Sequence, residues 1–337
     1  MQMTNLMQHR LFLPLLALAM ILLANLVLSP EFFHLQVKDG RVYGSLVDVL
    51  NRSAPCALLA IGMSLVIATG GIDLSVGAIV AITGAVCANL LNTSFDTLPL
   101  VILAALAIGL AAGMVNGSLV SIFGIQPIVA TLVLMVAGRG IAQLINSGQI
   151  VTFQNDTFAA IGIGSLLGLP APVVIALVVF LLVQFAMRFT ALGLFIEACG
   201  CNPRASHYLG LNVRVIKFLV YCVSGLCAAI AGMVITADIQ GADANNAGLW
   251  LELDAILAVV LGGAALSGGR FSLPLTMIGV LIIQAMSTTI IMSGIEPKYN
   301  LIIKSLVILV VLLLQSPTLR EQLRSLTGAG KSLGGKA

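Results

Sequence analysis

Along this chain the polar positions are sparse and clustered, and between them run long apolar stretches. The first, Leu11 to Ser29, has the ~20 residues that cross the hydrocarbon of a bilayer and exceeds the ~7–15 of a signal-peptide core, so it predicts a retained transmembrane helix. Pro30 to Arg52 carries Glu31, Lys38, Asp39, Arg41, Asp48 and Arg52, and is expected to be a polar connection, partly an amphipathic helix at the interface. Ala54 to Leu91 would reach ~57 Å as one helix, too long for a single crossing. It is expected to fold back at Gly70-Gly71-Ile72-Asp73, because paired glycines end helices and Asp73 cannot face lipid. Further spans are expected at Leu98–Phe123, Pro127–Ile145, Pro170–Phe189, Val215–Ala237, Leu251–Leu266, Leu273–Met292 and Tyr299–Leu314, ten in all. The Gly-rich stretch Val151 to Leu169 is expected outside the membrane or at its surface.

Composition agrees with the pattern. Of 337 residues, 59% are hydrophobic and 9% charged, against ~25% charged in ordinary globular domains. That excludes a typical soluble enzyme, a disordered chain and a nucleic-acid binder. What remains is an all-α, polytopic membrane protein: a transmembrane domain over residues 1–326 and a flexible tail over 327–337. With both termini on the cytoplasmic side, ten of the sixteen basic residues fall inside, which the positive-inside rule favours. The six cysteines show no disulfide framework, and the plain reading is small buried thiols. Gly328-Ala329-Gly330-Lys331-Ser332 lacks the first glycine of a phosphate loop, where Ser325 stands, and reads as a basic tail near lipid headgroups. No catalytic constellation assembles, so no enzyme is expected.

Two kinds of segment carry functional signals. The longest cytoplasmic connection, 190–214, holds Glu197, Gly200, Asn202, Pro203, Arg204, Ala205, Ser206, His207, Tyr208 and Gly210. Asn caps free N–H groups and Pro suits a first helical turn, so a short helix from Asn202 or Pro203 to Gly210 is expected, either a plain linker or a docking element. The glycine-rich stretches Thr69–Gly77 and Leu261–Gly269 interrupt apolar runs. They read as tight helix packing, as broken helices lining a solute path, or as both. Candidates for a polar route are Asp73, Ser75, Asn116, Gln126, Asn146, Gln240 and Gln284; neutral amides and hydroxyls suit a neutral polyhydroxylated solute better than an ion.

These blocks resemble a known family. AIGMSLVIATGGIDLSVG (Ala60–Gly77), Gly113-Met-Val-Asn116-Gly117, Gln126-Pro127-Ile-Val-Ala-Thr131, Gly138-Arg139-Gly140, the loop GLFIEACGCNPRASHYLGLN (Gly193–Asn212) and VLGGAALSGGR (Val260–Arg270) are similar, in order, to the ribose-type sugar permeases of ABC importers. Asp39-Gly40-Arg41 and Asp48-Val-Leu-Asn51-Arg52 resemble the galactofuranose permeases within it. The resemblance implies a bacterial inner-membrane permease subunit that imports a monosaccharide by alternating access, a furanose such as galactofuranose. The implied partners are two cytoplasmic ABC ATPases, a second permease (a copy of itself or a paralogue) and a periplasmic sugar-binding protein, in contact with membrane lipid and without nucleic acid. ATP would be used by those partners, no cofactor being bound by this chain, and the 190–214 loop would couple to them. Cys199 and Cys201 depart from the small or polar residues expected in that loop. The alternatives are a secondary sugar transporter or facilitator, acting without an ATPase, and a branched-chain amino-acid permease, which would need groups for a zwitterion.

Overall fold

A computed structural model describes residues 12–28, 30–38, 41–93, 97–166, 168–294, 296 and 299–315. The basic tail, with its phosphate-loop-like run, lies outside the described residues. The described residues are mostly helical. The helices are α1 (Phe12–Leu28), α2 (Ser45–Ala68), α3 (Val76–Leu91), α4 (Leu98–Ser121), α5 (Pro127–Ile145), α6 (Asp156–Ile163), α7 (Ala171–Phe189), α8 (Leu192–Cys201), α9 (Pro203–Tyr208), α10 (Val213–Ile239), α11 (Leu251–Leu261), α12 (Leu273–Met292) and α13 (Asn300–Gln315). Short strands pair as antiparallel ladders: β1 (Gln36–Lys38) with β2 (Arg41–Tyr43), β3 (Val151–Thr152) with β6 (Gly241–Ala242), and β4 (Ser165–Leu166) with β5 (Leu169–Pro170).

Among the described residues, six helices are long and apolar enough to cross a membrane: α2, α4, α5, α7, α10 and α12. The other four expected spans are shorter: α1 has 17 residues, α3 and α13 have 16 each, and α11 has 11. The count of ten full spans is therefore not reproduced. Leu251–Leu266 is helical only to Leu261, because Gly262 caps it and Gly263 takes φ +83°. Conversely α2 starts at Ser45, so the polar connection contributes Asp48 and Arg52 to a membrane-crossing helix. The remainder of that connection is a 3-10 turn (Pro30–Phe33) and the β1–β2 hairpin, where an amphipathic helix was expected. The stretch Val151 to Leu169 holds β3, α6 and the β4–β5 hairpin, with Asn155 capping α6 by accepting from Phe158 N at 3.0 Å.

Helices sort by burial. The apolar window of α2 is 78% buried and that of α10 67%, whereas α7 keeps only 11% and α4 and α5 22% each. A helix apolar all round is either enclosed by protein or faces lipid, and these values, with 61% for α12, separate three inner helices from an outer set. Without a hydrophobic driving force inside lipid, close backbone approach and polar links hold helices together. Gly109 of α4 and Gly225 of α10 show the first: a Cβ on either would overlap the other's backbone. Asn25 Nδ2 donating to Thr289 Oγ1 at 2.7 Å and Ser64 Oγ donating to Thr276 Oγ1 at 3.1 Å show the second. Five cysteines are buried as expected, but Cys201 is exposed at the end of α8.

The loops share sides. At one end meet the break after Ala68, the α8–α9 region and the glycine-rich 262–269 loop, since Gly269 N donates to Ala68 O at 2.9 Å and Gly200 abuts both. At the other end meet the α3–α4 and α5–α6 connections and the end of α10: Asn92 Nδ2 donates to Thr152 O at 2.9 Å, and β3 pairs with β6.

Candidate functional site

The break between α2 and α3 centres on Asp73, a carboxylate 1% exposed. Gly70 reverses the chain at φ +79°, and helix resumes only at Val76. Ser75 N and Ser75 Oγ donate to Asp73 Oδ1 at 3.1 and 2.6 Å, so the carboxylate closes a local turn just before α3. Its second oxygen accepts from Ser224 Oγ of α10 at 2.8 Å. Asn116 of α4 donates its amide to Ser75 Oγ at 2.7 Å and, more distantly, to Asp73 Oδ1 at 3.4 Å. A carboxylate is acceptor-only, and here each oxygen meets donors, which is the condition for holding such a group away from water. Thr131 Oγ1 of α5 also reaches the Ile72 carbonyl at 3.2 Å. One carboxylate thus gathers the ends of α2 and α3 with α4 and α10, and α5 adjoins it.

Of the expected polar-route residues, the structure brings Asp73, Ser75 and Asn116 together. Asn146 belongs to a separate cluster at the other end of α5, accepting from Asn89 Nδ2 at 2.8 Å and donating to Ala242 O at 3.0 Å. Gln126 is exposed at the start of α5, where its carbonyl accepts from Ala130 N at 3.0 Å. Gln284 is half-buried on α12, apart from both clusters, and Gln240 ends α10 in the left-handed region at φ 49°. Ser224 was missed, although a serine inside an apolar span such as YCVSGLC is the available signal. Also missed was the ion pair of Asp254 on α11 with Lys304 on α13, at 2.6 Å, whose side chains are 21% and 11% exposed. Arg139 of α5 donates to the carbonyls of Ala244 and Ala247.

The 190–214 loop folds as two helices. Asn202 Oδ1 accepts from Ala205 N at 3.0 Å and Pro203 opens α9, so the expected short helix is present over Pro203–Tyr208, with Gly210 turning the chain at φ +87°. Glu197 and Cys199 lie on α8, which the cysteines do not interrupt. Ser206 is buried, while Arg204 and Ala205 face out and Tyr208 and Leu209 are 89% and 81% exposed. Pro203, Arg204 and His207 line a surface cleft of about 850 Å³ with the start of α10. Gly200 sits where a Cβ would overlap the Ala68 carbonyl.

Helices of membrane-crossing length, a polar broken helix and an exposed capped loop define a polytopic permease. Residues 45–312 match the family described as branched-chain amino acid transport system / permease component, and the chain belongs to that family. It is a multi-pass membrane protein and a transport subunit, not an enzyme. It is 58% identical over 302 residues to the galactofuranose transporter permease protein YtfT of Escherichia coli K12, covering 90% of this chain and 88% of that protein. It is 42% identical over 286 residues to the fructose import permease FruF of Bifidobacterium longum (84% and 80%), and 39% over 306 residues to the ribose import permease RbsC of Escherichia coli K12 (90% and 92%). No solved structure matches the chain.

Proposed function

We propose that this chain is the permease subunit of an ABC importer for a monosaccharide in furanose form, galactofuranose foremost. The observation that carries the reading is the 58% identity to a galactofuranose permease across 90% of the chain, with fructose and ribose permeases also similar at 42% and 39%. Two membrane-embedded cations are already engaged and offer no site for a zwitterion's carboxylate, while the buried Glu252 carboxylate keeps one oxygen without a hydrogen bond from the described residues. Among the described residues Lys304 is paired with Asp254, and Arg139 is engaged by two carbonyls.

In this reading the four shorter helices complete ten spans in the bacterial inner membrane, with both termini cytoplasmic. The sharing of one end by the Gly70 break, the α8–α9 region and the 262–269 loop supports that arrangement. Two cytoplasmic ATPases grip the α9 region, using ATP that this chain does not bind. A second permease, self or paralogue, completes the membrane unit, and a periplasmic binding protein delivers the sugar. Asp73, Ser75 and Asn116 fix the shape of the broken helix beside the path, with Gln126, Asn146 and Gln284 as further path positions.

The test is uptake of labelled galactofuranose, ribose and fructose by cells carrying the permease with its partner subunits. Galactofuranose uptake abolished by an inactive ATPase is expected. Uptake that persists without the ATPase would make the chain a facilitator instead, and preference for ribose or fructose would reject the substrate.

A further inference from the structure

The connection between α10 and α11 enters the protein instead of lying over it. Ala242 stands beside Gly84 of α3, Ala244 packs with Ala81, Ile82 and Ala85, and the Gly248 backbone touches Gly77. At 1.5 Å per residue, the segment descends about 10 Å along α3, reaching a level about 21 Å from the Leu91 end of that helix. The hydrocarbon of a bilayer is only ~30 Å thick. Irregular backbone therefore lies at membrane depth.

Left-handed residues bracket it, Gln240 at φ 49° and Trp250 at φ 67°. Arg139, itself within α5, holds it through the Ala244 and Ala247 carbonyls. Its outer face is nonetheless open: Asn245 and Asn246 are exposed, the Asn246 amide donating to Asp243 Oδ2 at 2.7 Å and keeping its carbonyl oxygen outward, and Trp250 is 51% exposed. Gly140, next to Arg139, has nothing within 4 Å of where a Cβ would stand. Irregular backbone and open amides at this depth are not tolerated against lipid, and are found where other protein covers them or where they line a water-filled cavity.

The side chains there suit a sugar. Gln143 Nε2 donates to Asn245 Oδ1 at 2.8 Å. Whichever way the two amides are turned, one donor and one acceptor group remain unused by the described residues, matching hydroxyls that both donate and accept. The indole of Trp250, the chain's single Trp, supplies an apolar face for the C–H side of a ring.

Resting on the sugar-permease reading above, we infer that the re-entrant segment 240–250, with Gln143 and with Arg139 as its positioning residue, forms a sugar subsite of the translocation path, through Asn245, Asn246 and Trp250. A neutral furanose or pyranose is the ligand class. Asn245 uses its backbone N–H to close a turn on Asp243 Oδ1 at 2.9 Å, so its side chain is replaceable without losing that bond.

The experiment places single cysteines by Asn245→Cys and Asn246→Cys, with Leu181→Cys on the exposed apolar face of α7 as control, in a background without the native cysteines. The assembled importer in membranes is treated with a charged, membrane-impermeant thiol reagent, with and without galactofuranose, ribose or fructose. The expected result is labelling at least ~10-fold faster than at the control, slowed several-fold by one of the sugars. Labelling as slow as the control would mean a surface sealed by lipid or by another subunit, and overturns the subsite. Fast labelling that none of the sugars slows overturns it too. Protection by ribose or fructose alone upholds the subsite and rejects galactofuranose, so the two readings fail separately. Gln143→Ala should lower uptake of the protecting sugar ~10-fold at equal membrane abundance; unchanged uptake removes Gln143 from the site.

Discussion

Replacing Asp73 separates a carboxylate used for its charge from one used for its hydrogen bonds. In Asp73→Asn the oxygen facing Ser75 keeps its two short contacts, at 3.1 and 2.6 Å. The new amide N–H₂ faces Ser224 Oγ, a hydroxyl able to accept as well as donate. Three charge-assisted bonds become neutral ones, a loss of roughly 1 kcal/mol each. Removing a charge from membrane depth returns ~2.5–3.5 kcal/mol on insertion scales. The two changes nearly cancel. Asp73→Leu is different: it strands the Ser75 N–H outright, at ~1–3 kcal/mol, and leaves two hydroxyls to find weaker partners. With the removed charge again offsetting the lost charge assistance, and roughly 1–1.5 kcal/mol for each hydroxyl, the sum is of the order of 3–6 kcal/mol, enough to remove more than nine-tenths of correctly assembled protein from a marginally stable fold. The assay measures the amount of permease extracted with its partners and the uptake of labelled galactofuranose per assembled complex. Asp73→Asn is expected to match the native chain within about two-fold in both, and Asp73→Leu to assemble below about one-tenth. Normal assembly of Asp73→Asn with uptake below one-tenth would refute this reasoning, because the charge itself would then serve the path. Native-like assembly of Asp73→Leu would refute the network as a structural lock.

Three further outcomes are expected. Lys304→Met leaves the Asp254 carboxylate without its cation in a mostly buried setting, a loss of roughly 3–5 kcal/mol that lowers the aggregation temperature of the detergent-extracted permease; the double variant Asp254→Leu with Lys304→Met should recover most of it, and equal losses in both would contradict the pairing. Gly200→Ala drives a Cβ into the Ala68 carbonyl and should cut uptake or assembly ~10-fold or more; native-like uptake and assembly of this variant would contradict the close backbone contact. A cysteine introduced by Arg204→Cys, with Cys199 and Cys201 removed, should cross-link to the ATPase during turnover, and replacing Pro203 and Arg204 together should leave ATP hydrolysis running without uptake; absence of the cross-link in an intact complex would count against docking at α9.

What was legible in the sequence was local. Paired glycines and a carboxylate announce the break after Ala68, and Asn202-Pro203 announces α9, because the physics that ends or caps a helix acts within a few residues. The start of α2 was misplaced because Asp48 and Arg52 look like loop residues when only their polarity is read. The segment GADANNAGLW reads as an ordinary surface loop. Its descent along α3 depends on Gly77 and Gly248 meeting and on Arg139 binding two of its carbonyls from another helix, partners over a hundred residues away. Ser224 was hidden for the same reason: within an apolar span one serine is unremarkable until α10 is known to cross the break.

The convergence of three glycine-bearing segments has a mechanical consequence. The Ala68 carbonyl, Gly200 and Gly269 approach so closely that no side chain separates them, and Gly268 lies against Gly70 and the Gly200 carbonyl. Side chains hop between rotamers and absorb small displacements, whereas backbone in direct contact has no such slack. Helix α9 follows α8 across a single residue, Asn202, whose side chain caps it. A pull on α9 thus reaches Gly200, then the Ala68–Gly70 break, and five residues on meets the Ser75–Asp73 turn, which is tied to α4 through Asn116 and to α10 through Ser224. The glycines that let the loop lie this close are also what make the contact stiff. If the 190–214 loop is where ATP-driven motion enters, its route to the broken helix is short and runs through main chain.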